Sequence, residues 1–197
     1  AGLPAGKNTR NGWAGANLLH AQVNLGSRNI LFADFLVNVN NAGRVGLGVL
    51  DPVSTTQTVR RGEYFGSLKD QFYLGGGSLI EFGYSHGDFS NRQTPQGQNP
   101  YVFSPEGRSG NYFVTSHQSA SRDEGLVHGY APQLHLAGSH QIEAGADVEL
   151  LSYDGNFSRT GYELEGVALQ LLSRTSFFGP GVVLVHDTKI APWVLDT

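Results

Sequence analysis

The sequence predicts an all-β chain, an antiparallel up-and-down meander forming part of a transmembrane β-barrel. Three observations point there. Apolar and polar residues alternate strictly over long runs, cleanest from Gln141 to Leu150, where every even position is apolar and every odd one is polar or glycine. Period two places the two sets on opposite faces of an extended strand. Short glycine turns alternate along the chain with long polar connections, the asymmetry of periplasmic turns and extracellular loops. No run of about 18 apolar residues occurs, so no membrane helix is expected, whereas membrane strands need only about 9–11 residues.

The elements follow in order. Residues 17–25 form a strand with Leu19, Ala21 and Val23 on one face and His20, Gln22 and Asn24 on the other. The turn Leu25-Gly26-Ser27-Arg28-Asn29 leads to a strand over 30–39. There Leu31, Ala33, Phe35, Val37 and Val39 face lipid, and Asp34 and Asn38 face the lumen. A long connection, 40–61, precedes a strand over 62–74. Its Tyr64, Leu68, Phe72 and Leu74 share parity with Asp70, which needs either a bulge or a place near the membrane interface. The glycine turn 74–78 opens a strand over 78–90, with Ile80, Phe82 and Tyr84 opposed to Glu81, Gly83 and Ser85.

The polar stretch from Asn91 to Pro100 is expected outside the sheet interior, because proline lacks a ladder donor. Strands over 118–137 and 139–154 flank a third short turn, Leu136-Ala137-Gly138-Ser139-His140. A small hairpin is expected between 161 and 177 within the long connection 155–181. The last strand, 182–197, has an ambiguous face because Val182 to Val185 are apolar on both parities. On this reading Leu19, Ala21, Val23, Leu31, Phe35, Val37, Ile142, Ala144, Ala146 and Val148 share the convex, lipid-facing side. The three short turns lie at one rim and the long loops at the other.

Composition narrows the class. The chain has 197 residues, 15% of them charged, 27 glycines and a net charge of -4. That balance suits neither a coiled coil nor a nucleic-acid partner. Cysteine is absent, which removes disulfides, thiolate zinc sites and thiol catalysis. Methionine is also absent and no basic-then-apolar leader opens the chain, so 1–197 is expected to be one interior piece of a barrel domain, without a plug. Seven strands are odd in number, and the strands completing a barrel are expected outside this chain.

Three segments carry a family resemblance. Gly46-Leu47-Gly48-Val49-Leu50-Asp51-Pro52, Gly107-Arg108-Ser109-Gly110-Asn111-Tyr112-Phe113 and His140-Gln141-Ile142-Glu143-Ala144-Gly145-Ala146-Asp147 resemble the barrel of TonB-dependent outer-membrane receptors. The closest likeness is to the large receptors with an N-terminal carboxypeptidase-regulatory-like domain, and the closing Trp193 to Thr197 is similar to a strand end of that family. The resemblance implies an outer-membrane location, outer-membrane lipid and an extracellular ligand as partners, and coupling to TonB through regions not contained here. A passive pore or adhesin barrel, and a soluble β-sandwich carbohydrate-binding module, are the alternatives.

Motifs for chemistry are sparse, and neither catalysis nor a cofactor is expected. Gly83-Tyr84-Ser85-His86-Gly87 matches the pentapeptide of a nucleophile elbow, with Asp123 and His128 following in hydrolase order, but a polar loop follows where a helix is required. His128, His135 and His140 cluster in sequence, yet the first two have opposite strand parity and could not share a metal ion without a bulge. Gly43-Arg44-Val45-Gly46-Leu47-Gly48 has the wrong order for a dinucleotide loop. The row Glu143, Asp147 and Glu149 reads as a solvated lumen face. Tyr64, Tyr84, Tyr130 and Trp193 read as an interface girdle or as a carbohydrate platform.

Overall fold

The computed structural model describes residues 9–135, 138–179 and 181–197. Seven long strands make one antiparallel sheet: β1 (Asn11–Asn24), β2 (Asn29–Val45), β3 (Gln57–Gly75), β4 (Ser78–Pro95), β7 (Val114–Tyr130), β8 (Ile142–Arg159) and β11 (Gly181–Asp196). Four short strands, β5 (Tyr101–Ser104), β6 (Gly107–Ser109), β9 (Tyr162–Glu165) and β10 (Leu171–Thr175), make a second sheet. The large sheet has the order β1-β2-β3-β4-β7-β8-β11, so each long strand pairs with the next one along the chain, as expected of a meander. It is open, and β1 and β11 are its two edges.

The short turns form because the backbone there can reverse within two residues. Gly76 and Gly77 separate β3 from β4 with φ of 62° and 89°, the double positive-φ geometry that matches strand twist in a tight hairpin. Antiparallel order then puts the turns at 24–29 and 75–78, with 131–135 and 138–141, at one end, and the connections 46–56, 96–113 and 160–179 at the other.

The strands run further toward the long-loop end than hydrophobic alternation suggests. β1 starts at Asn11, β2 continues to Val45, β3 starts at Gln57 and β8 continues to Arg159. β4 likewise enters the stretch from Asn91 to Pro100 that was expected outside the sheet. Asn91 is buried and donates to Gln118 Oε1, and Pro95 pairs with Gln57 at the strand end, beyond the last residue of β4 that β7 covers. A missing N–H costs little there. The ladder needs backbone groups only, so polar side chains extend it wherever they have solvent or, as Asn91 does, a polar partner.

At the opposite end β7 stops at Tyr130 rather than at 137. Pro132 cannot donate, and the hairpin is rejoined by reciprocal backbone bonds between Leu134 and His140. Leu136 and Ala137 of that expected turn lie outside the described residues.

The second sheet is built from two long connections. The expected hairpin is β9–β10; unexpected is the parallel pair β5–β9, which joins segments from different loops. Around it Tyr101, Phe103, Tyr112, Phe113, Tyr162 and Phe177 pack with ring centroids 4.9–6.3 Å apart. Tyr101 is 5% exposed, and burial pushes its hydroxyl above the ordinary tyrosine range.

The neutral phenol is thus favoured on folding. Its contribution is fully present below a pH of about 10 and is lost as pH rises through the folded value. Near-UV circular dichroism of this aromatic cluster should hold up to that pH and decline above it. In Tyr101→Phe the decline should be smaller; an unchanged decline would place the pH sensitivity elsewhere.

No second layer among the described residues covers either face of the large sheet. Among the described residues the only buried apolar side chains are Val59 and Tyr101. The accessible surface is 12786 Å², against about 9,000 Å² for a compact monomer of this mass. A β-sandwich would bury one face of each strand against a facing sheet, and the described residues form no such sheet.

Candidate functional site

One face of the large sheet is apolar. Register brings Leu19 opposite Phe35, Ala21 opposite Ala33, and Val23 opposite Leu31. The same face continues through Leu68, Phe82, Tyr84, Val127, Ala146, Val148, Ile190 and Val194. All ten residues expected on this side share it. Asp70 also lies on it, because the β2–β3 register runs without a bulge from Asn29–Phe72 to Val59–Ala42. Asp70 sits near the short-turn end and accepts a hydrogen bond from Asn29 Nδ2 at 3.1 Å, so the bulge alternative is set aside.

The opposite face carries a polar network of cross-strand pairs. His20 Nδ1 lies 2.6 Å from Asp34, whose other oxygen accepts from Ser67. Glu81 accepts from Gln71 and Tyr130 and pairs with Lys69 at 3.5 Å. Asp147 holds His128 at 2.8 Å and the Trp193 indole N–H at 3.1 Å. Arg122 bridges Glu124 and Glu149 at 3.1 and 2.6 Å, and Lys189 reaches Glu149 at 3.4 Å.

Exposure is inverted relative to a water-soluble domain. Along β8 the apolar Ile142, Ala144, Ala146, Val148 and Leu150 are exposed, while Glu143, Asp147 and Glu149 are only partly so. Water-soluble proteins rarely leave a contiguous apolar patch of this extent bare.

The apolar face is also slanted across the hydrogen-bonded rows. On β2 its residues run from Leu31 to Val39 and on β8 from Ile142 to Leu150. The row of Leu31 passes through Asp70, Phe82 and Val127 to Ala146, four residues beyond Ile142. The row of Val39 reaches Asp154, again four residues beyond the end of the β8 run. The band therefore slips one residue per strand. With about 3.4 Å per residue and about 4.8 Å between strands, that slip equals a tilt of about 35° between the strands and the normal to the band.

At the long-loop edge of the band sits a group that alternation did not reveal. Tyr84 donates to Asp123 at 2.6 Å, and His86 lies 2.7 Å from Asp123 and 2.9 Å from Asp88. The available signal was parity: His86 and Asp88 continue the side-chain set of Phe82 and Tyr84. The charges there are satisfied by one another.

The long-loop rim is a tied structure. Arg108 donates its backbone N–H to Leu50 and pairs with Asp51 at 3.0 Å. Asn111 is buried; its Nδ2 donates to the Ser54 carbonyl and its Oδ1 accepts from the Asn99 N–H. Thr160 donates to the Phe113 carbonyl. Three connections far apart in sequence thus form one platform, and Val49, Val167 and Phe178 project from it into solvent.

No protein family, curated protein or solved structure matches the chain.

The remaining candidate residues do not converge. Ser85 lies in the middle of β4, which runs straight through Gly83 and Gly87 with neither turn nor helix. Asp123 projects from the face opposite to Ser85, since it is paired with His86 and Ser85 with Glu124. His128 and His140 are engaged by different carboxylates, Asp147 and Asp196, and His135 lies past the end of β7.

The aromatic set splits as well. Tyr64 and Tyr84 are on the apolar face, whereas Tyr130 and Trp193 are on the polar face, bonded to Glu81 and Asp147. A single girdle or platform of these residues is therefore excluded. Trp193 instead covers Gly145, where an added Cβ would come within 2.8 Å of its ring. Val182 and Leu184 join the apolar face, and Val183 and Val185 the polar one.

Proposed function

We propose that this chain is a segment of an outer-membrane β-barrel receptor. Its apolar face meets lipid, its polar face lines the passage, and its loop platform meets an extracellular ligand. The slanted apolar band carries this reading. Strands of membrane barrels tilt by about 35–45° and their lipid-facing band is about 25 Å tall. Leu31 to Val39, tilted as observed, span about 22 Å along the band normal. A soluble sheet gives no reason for an exposed band of that height and slant.

Both edge strands leave backbone donors and acceptors unpaired, a condition that continuation into a closed barrel removes. Assignment to the TonB-dependent receptors is supported by the sequence likeness of 46–52 and 107–113, which lie in the long connections, and of 140–147, which leads into β8. In that reading TonB coupling involves regions outside this chain.

No cysteine occurs in these 197 residues, so a thiol introduced among them is a single label site within the segment. Val148→Cys and Ser85→Cys, each carrying a bimane label in the full-length protein in bilayers, should respond differently to brominated lipid. Strong quenching at 148 and weak quenching at 85 is the expected result. Equal quenching at both positions would remove the membrane reading.

A further inference from the structure

Within the polar face lies a groove that the charged network does not fill. Its walls are Phe65, Phe89, Leu151, Tyr153 and Val185, and its floor is Gly87, over a volume of about 490 Å³. An added Cβ at Gly87 would lie 3.7 Å from Phe65 Cδ2, in ordinary van der Waals contact, so a side chain there would occupy the groove without a clash at its first carbon. That volume falls in the range of small-molecule pockets, which are mostly apolar with a few polar groups fixing orientation.

The charges bordering it are unequally compensated. Arg122 is drawn to Glu124 and Glu149. Among the described residues Glu63 accepts only the neutral Asn38 amide at 3.0 Å, and toward β8, the strand it pairs with, Asp187 makes no hydrogen bond or ion pair. Register puts Glu63 beside Phe89, and Asp187 beside Leu151, at opposite ends of the groove. Apolar walls with an uncompensated carboxylate at each end suit one ligand chemistry, an apolar body bearing a cationic head.

We propose that the groove between Phe65 and Val185 binds small organic cations of this kind, with Asp187 facing the ammonium or guanidinium group. The proposal rests on the reading that the polar face lines a water-filled passage, where such a ligand would arrive from solvent.

A matched series tests it: 4-phenylbutylammonium, 4-phenylbutanol and 4-phenylbutyrate share one apolar body and differ in head charge. Calorimetric titration of the full-length protein in bilayers should show saturable binding of the ammonium, weaker binding of the alcohol and weakest binding of the acid. Asp187→Asn should weaken the ammonium roughly fivefold, as loss of one solvent-accessible charge contact implies, and leave the alcohol unchanged. Gly87→Leu, which fills the floor, should abolish binding of the whole series.

Equal affinity for all three probes, or ammonium binding indifferent to Asp187→Asn, would overturn the proposal. Because Asp187→Asn is isosteric and exposed, that result does not hinge on whether Gly87→Leu folds. Bromolipid quenching at 148 and 85 is read on the same preparation. If the sidedness holds and the series still fails, the groove proposal alone is wrong; if the sidedness fails, the membrane reading is wrong.

Discussion

Ala146→Arg should cost the folded protein about 2–4 kcal/mol in a bilayer, the penalty for arginine at the lipid-facing midplane of a barrel. Ala146 lies at the centre of the apolar run of β8, between Val127 and Pro192 in the hydrogen-bonded row, and neither neighbour offers a partner for a guanidinium. The contrasting change is Ala191→Arg. Ala191 faces the other side and lies opposite Asp147, so the new charge meets water and a carboxylate there. Its cost should be below about 1 kcal/mol, since exposed ion pairs contribute little in either direction. Urea titration of the protein in lipid vesicles, followed by tryptophan fluorescence, compares the two on one scale. Equal penalties, or a larger one at 191, would contradict the assignment of faces.

The loop platform should come apart in Gly110→Ala while the large sheet persists. Gly110 has φ of 74°, which L residues avoid, and a Cβ there would overlap the Pro100 carbonyl oxygen. Relieving the overlap moves Asn111, which anchors both Asn99 and Ser54 from a buried position. Strain plus loss of two buried hydrogen bonds amounts to about 3 kcal/mol or more, confined to the platform. Hydrogen exchange should therefore rise across 46–56 and 96–113 and stay unchanged in the β3–β4 ladder. Ligand binding by the full-length receptor should fall with it, because binding groups on loops depend on a rigid base. Retained protection in both connections would show that Gly110 does not hold them together.

Much of this architecture is legible in the order of residues alone. Alternation from Leu31 to Val39 against Asp34 and Asn38 assigns faces, since side-chain direction in a strand depends only on parity. Glycine runs such as Gly75-Gly76-Gly77 locate reversals through their tolerance of positive φ. Those local rules dictate the meander, the two-faced sheet and the separation of short turns from long loops.

Tertiary structure decided what depends on partners distant in sequence. Alternation does not say that Asp70 finds Asn29, that Tyr130 and Trp193 reach Glu81 and Asp147, or that His86 meets Asp123. Nor does it show that Asn111 ties the connection 96–113 to 46–56, or that the apolar band slips one residue per strand. Parity orients one strand at a time, whereas register, which sets all of these, is fixed by hydrogen bonding between strands and exists only once the chain has folded.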